Sequence, residues 1–280
     1  MTRAIDVMHL GRDHVICAHE LNGLIIDPGP TSCLETLLNA IGGEEPRALM
    51  LTHIHLDHAG ASGSLVKRFP DLPVYVHERG APHLVDPTKL LKSAAQLYGD
   101  DMDRLWGEVV PVPEQNIRVL SGGEDVEGLH VEYTPGHASH HVTYFDESAG
   151  DAYVGDVGGV RIPGSDFVAS PTPPPDIDLE KWNASLDLLE SRSPERLHLT
   201  HFGEVTNVSD HIAQLRGRLA AWGEVAKTTD LERFVQVVEA EIRASSGDAS
   251  PAAYFQAAPP DQLFLGLERY WTKKAEREAA

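Results

Sequence analysis

Short apolar runs punctuated by turn residues fill the chain before residue 208, and they alternate with segments of helical period. Residues 15–18 and 24–26 are aliphatic-rich and bounded by polar or glycine positions, as short strands are, and the second ends in the turn Asp27-Pro28-Gly29-Pro30. Thr31 or Ser32 can cap a helix running to Ala40, which stops at Gly42-Gly43. Residues 48–51 are apolar without interruption and predict a buried strand, 60–69 a helix and 74–76 another strand. Strand and helix in alternation predict a layered α/β domain.

Residues 79–108 break that rhythm. Leu90-Leu91, Ala94-Ala95, Leu97 and Met102 to Leu105 recur at helical spacing with no strand between them, which predicts a helical insertion overhanging the site. Strands resume at 117–120, 129–133, 142–145 and 152–154; the Gly- and Pro-rich stretch 158–178 is a loop, followed by a helix over 179–189 and a strand over 197–199. From Ser209 strand signals vanish, and 209–226, 230–244 and 260–276 read as helices. The expected organisation is a catalytic domain over 1–207 and a C-terminal helical extension over 208–280.

Composition narrows the partners. The chain has 280 residues, 41% hydrophobic and 24% charged, which is ordinary for a folded globular protein. A net charge of −20 argues against a nucleic-acid backbone as partner, because phosphate contacts need an excess of Lys and Arg. The two cysteines, Cys17 and Cys33, are too few for a disulfide framework and suit a reducing compartment. No apolar stretch is long enough to span a membrane, and the opening residues lack a secretory h-region. The expected location is the cytoplasm and the expected partner a small-molecule substrate, with a homodimer left open.

The chemistry is concentrated in Thr52-His53-Ile54-His55-Leu56-Asp57-His58, directly after the apolar run 48–51. Three imidazoles and a carboxylate so close together make poor core packing, since buried polar groups need partners and repel when charged. They make a good metal site: imidazole nitrogen and carboxylate oxygen suit zinc, iron and manganese. Three further candidates fall at strand ends: His137 in Thr134-Pro135-Gly136-His137, Asp156 in Val154-Gly155-Asp156, and His201 in Leu199-Thr200-His201. Ligands gathered at strand ends are how an α/β scaffold assembles a site from distant sequence, and this many donors suggests two metal shells.

These four motifs, in this order over roughly residues 14–203, resemble the metallo-β-lactamase-fold hydrolases, in their glyoxalase II-like or lactonase-like branch. The resemblance implies a four-layer αββα sandwich of two mixed β-sheets with a pair of metals at the sheet edge. Carried over, His53, His55 and His137 hold one metal, Asp57, His58 and His201 hold the other, and Asp156 bridges them. It implies two divalent ions per chain, zinc first with iron or manganese as alternatives. A shared hydroxide between ions about 3.5–4 Å apart would attack the carbonyl of a thioester, lactone or ester. Asp57 would both ligate and serve the reaction, orienting the nucleophile and returning a proton.

Other residues depart from the family pattern. His141 matches a supporting position, whereas His140 replaces a small residue at the pocket rim. Arg161 is a candidate clamp for a substrate carboxylate, Tyr98 a candidate lid residue, and Arg269, Tyr270, Lys273 and Lys274 candidates for an anionic substrate tail. His198, two residues before the strand-end ligand His201, is expected to pack or face solvent, and His211 is expected to be structural. The alternative function within the same fold is a mononuclear iron persulfide dioxygenase using only His53, His55 and His137. Cleavage of nucleic-acid phosphodiesters is disfavoured by the acidic charge, and β-lactam hydrolysis in the resistance sense by the lack of an export signal.

Overall fold

A computed structural model describes residues 2–279, which divide into two compact units: residues 2–133 with 140–146, and 134–139 with 147–279. The first unit carries a six-stranded sheet in chain order: β1 (Arg3–Asp6), β2 (Cys17–Leu21), β3 (Leu24–Ile26), β4 (Ala48–Met50), β5 (Val74–His77) and β6 (Ile117–Leu120). The pairs β1/β2 and β2/β3 are antiparallel, and β3/β4, β4/β5 and β5/β6 are parallel, so the sheet is mixed. Every residue of β3 and β4 is buried. This is why both segments are uninterrupted aliphatic runs rather than alternating ones.

The parallel crossovers carry helices. α1 (Leu34–Ala40) links β3 to β4, and α2 (Leu56–Ala59) with α3 (Ser62–Arg68) links β4 to β5. α1 ends where expected: Gly42 and Gly43 both have positive φ, and the Gly43 amide donates to Leu38 O at 2.8 Å. The insertion forms α4 (Ala81–Val85), α5 (Thr88–Tyr98) and α6 (Met102–Trp106). The unit is completed by an antiparallel meander of β7 (Asp125–Val126), β8 (Leu129–Tyr133) and β9 (Val142–Asp146).

In the second unit β10 (Asp151–Tyr153) pairs parallel with β11 (Arg196–Leu199), and β11 antiparallel with β12 (Gly203–Val205). The crossover is α7 (Leu179–Arg192), whose N-terminus is capped by Asp178 accepting from the Lys181 amide. α8 (Val208–Thr228), α9 (Leu231–Ser245), α10 (Pro251–Ala257) and α11 (Pro260–Glu278) follow. They belong to the same compact unit as β10–β12. α8 buries Ile212, Leu215, Leu219 and Trp222, and α11 buries Leu263, Phe264 and Leu267. Such apolar stripes need a partner surface, which holds these helices within the unit. Among the described residues no helix is long and apolar enough to cross a membrane.

Candidate metal centre

The first unit gathers His53, His55, Asp57 and His58 on the loop after β4 and on α2. The loop is stapled from several sides. Asp27 N donates to Met50 O, Gly29 N to His58 O and Ala61 N to Gly29 O, so the turn after β3 grips both ends of the run. The start of β9 adds Val142 N to Thr52 O at 2.8 Å, and the Tyr144 hydroxyl donates to Leu51 O at 2.7 Å. The rings of His53 and His55 lie 4.5 Å apart edge to face, and those of His53 and His58 lie 4.0 Å apart. His53 and His58 are fully buried, whereas the Asp57 side chain keeps 22% exposure, with Oδ2 3.8 Å from His58 Nε2.

Beneath this set lies Asp27, a residue the sequence offered only as part of a turn. Its buried carboxylate accepts from Thr52 N at 2.8 Å, Thr52 Oγ1 at 2.7 Å and His58 Nδ1 at 2.8 Å. Thr52 Oγ1, having given its proton to Asp27, accepts from His53 Nδ1 at 3.1 Å. Both imidazoles therefore carry their proton on Nδ1 and their lone pair on Nε2. That is the tautomer a metal takes, fixed by an acceptor behind the ring. The available signal was an acid directly after a buried aliphatic strand, in the same strand-end position as the candidate ligands.

The second unit brings together His137, Asp156 and His201. His137 follows Gly136, whose φ of 142° and packing exclude a side chain: a Cβ there would lie 2.3 Å from Trp182 Cα. The His137 Nδ1–H donates to Pro171 O at 2.9 Å, again leaving the lone pair on Nε2. Asp156 sits in the single turn Gly155–Gly158 after β10. His201 follows β11, its carbonyl accepting from Arg161 N at 2.7 Å. The Asp156 carboxylate spans the two imidazoles, with Oδ2 3.3 Å from His137 Nε2 and Oδ1 3.4 Å from His201 Nε2. Two ligands each 2.0–2.1 Å from a tetrahedral ion stand about 3.3 Å apart, so each of these spacings suits a shared cation. Donor types, tautomers and spacings thus fit a metal.

The remaining candidates are engaged otherwise. The Arg161 guanidinium donates to Ser165 O at 3.1 Å and Asn207 Oδ1 at 2.6 Å and pairs with Asp166, which ties down its loop and occupies the fork a substrate carboxylate would need. His140 is buried and accepts from the Ile54 amide at 3.5 Å, against the His55 ring. Tyr98 ends α5 with its ring edge-on to Trp106, 5.0 Å between centroids. Tyr270 and Lys274 both bond Glu180, and Arg269 donates to Pro175 O. His198 is buried against Tyr153 with Nε2 3.3 Å from Asp151, a packing role as expected.

Comparison with known proteins covers both units. A family model of the metallo-beta-lactamase superfamily matches residues 14–201. The chain is 42% identical over 79 residues to a hydroxyacylglutathione hydrolase of Hamiltonella defensa subsp. Acyrthosiphon pisum, a match spanning 27% of this chain and 29% of that protein. It is 32% identical over 136 residues to the probable metallo-hydrolase YqgX of Bacillus subtilis, covering 48% and 60% respectively. Both matches span less than two thirds of the relative's length. An archaeal metallo-beta-lactamase superfamily protein from Sulfolobus tokodaii superposes with a TM-score of 0.69 over 97% of this chain and 98% of that one, at 20% identity. This likeness shows the fold: α/β, with two mixed β-sheets, helices and a C-terminal run of helices.

Proposed function

Because the chain belongs to the metallo-beta-lactamase superfamily, we propose that it is a metal-dependent hydrolase using two divalent ions on a small carbonyl substrate: a thioester, lactone or ester. His53, His55 and His137 would hold one ion and Asp57, His58 and His201 the other, with Asp156 between them. Zinc is the ion proposed, with iron and manganese suited to the same donors. The observation that carries the reading is the set of acceptors on Nδ1 of His53, His58 and His137, which prepares three rings from two units in the same metal-binding tautomer.

When bound, the ions supply Lewis acidity, lowering the pKa of water towards about 7 and polarising the carbonyl oxygen. The chain supplies position and proton handling. Asp27 and Pro171 keep the rings from rotating or swapping tautomer. Asp57 is the accessible member of its set, so its carboxylate can orient an attacking water and later return a proton to the leaving group. No serine or cysteine nucleophile is required.

The test is metal content per chain in protein expressed without supplementation, then a panel of thioesters, lactones and esters on the same sample. Two ions per chain and turnover of one ester class are expected. Metal-replete protein inert across the panel, or one iron per chain with oxygen uptake on a persulfide, would overturn the reading.

A further inference from the structure

The turn that carries Asp156 has two outward-facing carbonyls, and each receives a ring N–H from a different helix. Trp182 of α7 donates Nε1–H to Val157 O at 3.0 Å. His211, in the first turn of α8, approaches Gly158 O with Nε2 at 2.7 Å. A carbonyl can only accept, so the His211 proton is on Nε2. Its Nδ1 is buried with no hydrogen-bond partner among the described residues. A fully buried imidazole satisfied at one nitrogen only is a costly way to fill space, and an apolar side chain would fill it at less cost. What the histidine provides that an apolar residue cannot is the bond to Gly158.

That bond falls at a place with little slack. Gly158 N donates to Val154 O and Gly159 N to Asp156 O, closing the turn on itself. A Cβ on Gly158 would lie 2.3 Å from Val154 Cγ2 and 2.7 Å from Leu199 Cδ2, so the turn already touches β11. With Trp182 on one carbonyl and His211 on the next, the backbone on the C-terminal side of Asp156 is held against rotation. Its carboxylate is thereby presented symmetrically to His137 and His201.

We propose that His211 is a positioning residue for the bridging carboxylate: through Gly158 O it fixes the Asp156 turn, and it thereby sets how tightly the metal pair is held. The inference rests on the dinuclear reading above. α8 thus acts on the metal site through one imidazole, not only as a packing helix.

Two substitutions separate the donor from the volume. His211→Phe keeps a ring and removes the N–H, while His211→Gln keeps an N–H able to reach the carbonyl. Zinc affinity is read by competition with a chromophoric chelator, and ligand geometry by the visible spectrum of the cobalt(II)-loaded protein. Loss of 10–100-fold in affinity with altered cobalt bands is expected for His211→Phe, as for other groups behind a ligand, and recovery for His211→Gln. Wild-type affinity and cobalt spectrum in folded His211→Phe would overturn the inference; should that variant not fold, His211→Met is read by the same criteria. Asp156→Asn runs alongside. If wild type binds fewer than two ions, or Asp156→Asn binds as wild type does, the dinuclear reading fails and takes the inference with it. If Asp156→Asn weakens binding and His211→Phe does not, only the role of His211 falls.

Discussion

Asp27 and His58 meet as two fully buried groups, the carboxylate Oδ2 accepting from the imidazole Nδ1 at 2.8 Å. The same oxygen takes the Thr52 hydroxyl proton, and through it the carboxylate also governs His53. Asp27→Asn keeps the shape but places an amide N–H₂ where donors already point. Metal affinity is expected to fall about 10–100-fold, read by chelator competition. Unchanged affinity would remove Asp27 from the site.

Gly136→Ala tests the geometry behind His137. The new Cβ would overlap the backbone of Trp182 at a φ that L residues avoid. Strain and overpacking together are expected to cost about 2–4 kcal/mol, seen as a lower denaturant midpoint with unchanged slope.

Chelation should destabilise the whole protein, because ligands gathered for a cation lose the free energy of binding it. Saturation at a hundredfold excess over the dissociation constant contributes about 2.7 kcal/mol per site. A lower melting temperature after dialysis against chelator, restored by zinc, is the expected result. Identical melting curves would count against any resident ion.

Burial lowers the His211 pKa from 6.5 to about 4, with the Gly158 bond opposing and Arg161 adding to the shift. The unfolded chain takes up this proton near pH 6.5, and the folded protein takes it up only near 4. The contribution is therefore whole above pH 6.5 and is lost as the pH falls towards 4, on the order of 3 kcal/mol in all. In chelated protein, the stability difference between wild type and His211→Gln should shrink across that window. A difference independent of pH would contradict the buried neutral ring.

The candidate ligands were legible because they combine metal-binding residue types with strand ends, as in the run 53–58 after β4 and His201 after β11. The strands β3 and β4 were legible as uninterrupted apolar runs, and β8 because Leu129, Val131 and Tyr133 alternate with His130 and Glu132. β1 was not, since Arg3-Ala4-Ile5-Asp6 is an edge strand with only Ile5 buried, and its pairing with β2 comes from backbone rather than pattern. The helix read over 60–69 is α3, and a further short helix, α2, precedes it from Leu56, where the run 53–58 itself turns helical. Asp27 and His211 were missed as site residues because what matters about them is the partner across the fold, and a single sequence does not reveal such partners.

The Asp156 turn and the Pro171 carbonyl have a consequence for synthesis. α8 reaches the turn through His211, and α11 presses on the neighbouring loop, where a Cβ on Gly266 would lie 1.9 Å from Thr172 O and Thr172 Oγ1 donates to Leu263 O. A nascent chain that has emerged only as far as His201 thus carries every donor but neither brace. On the proposed reading, loading with metal on this geometry would follow the emergence of α8 and α11 from the ribosome.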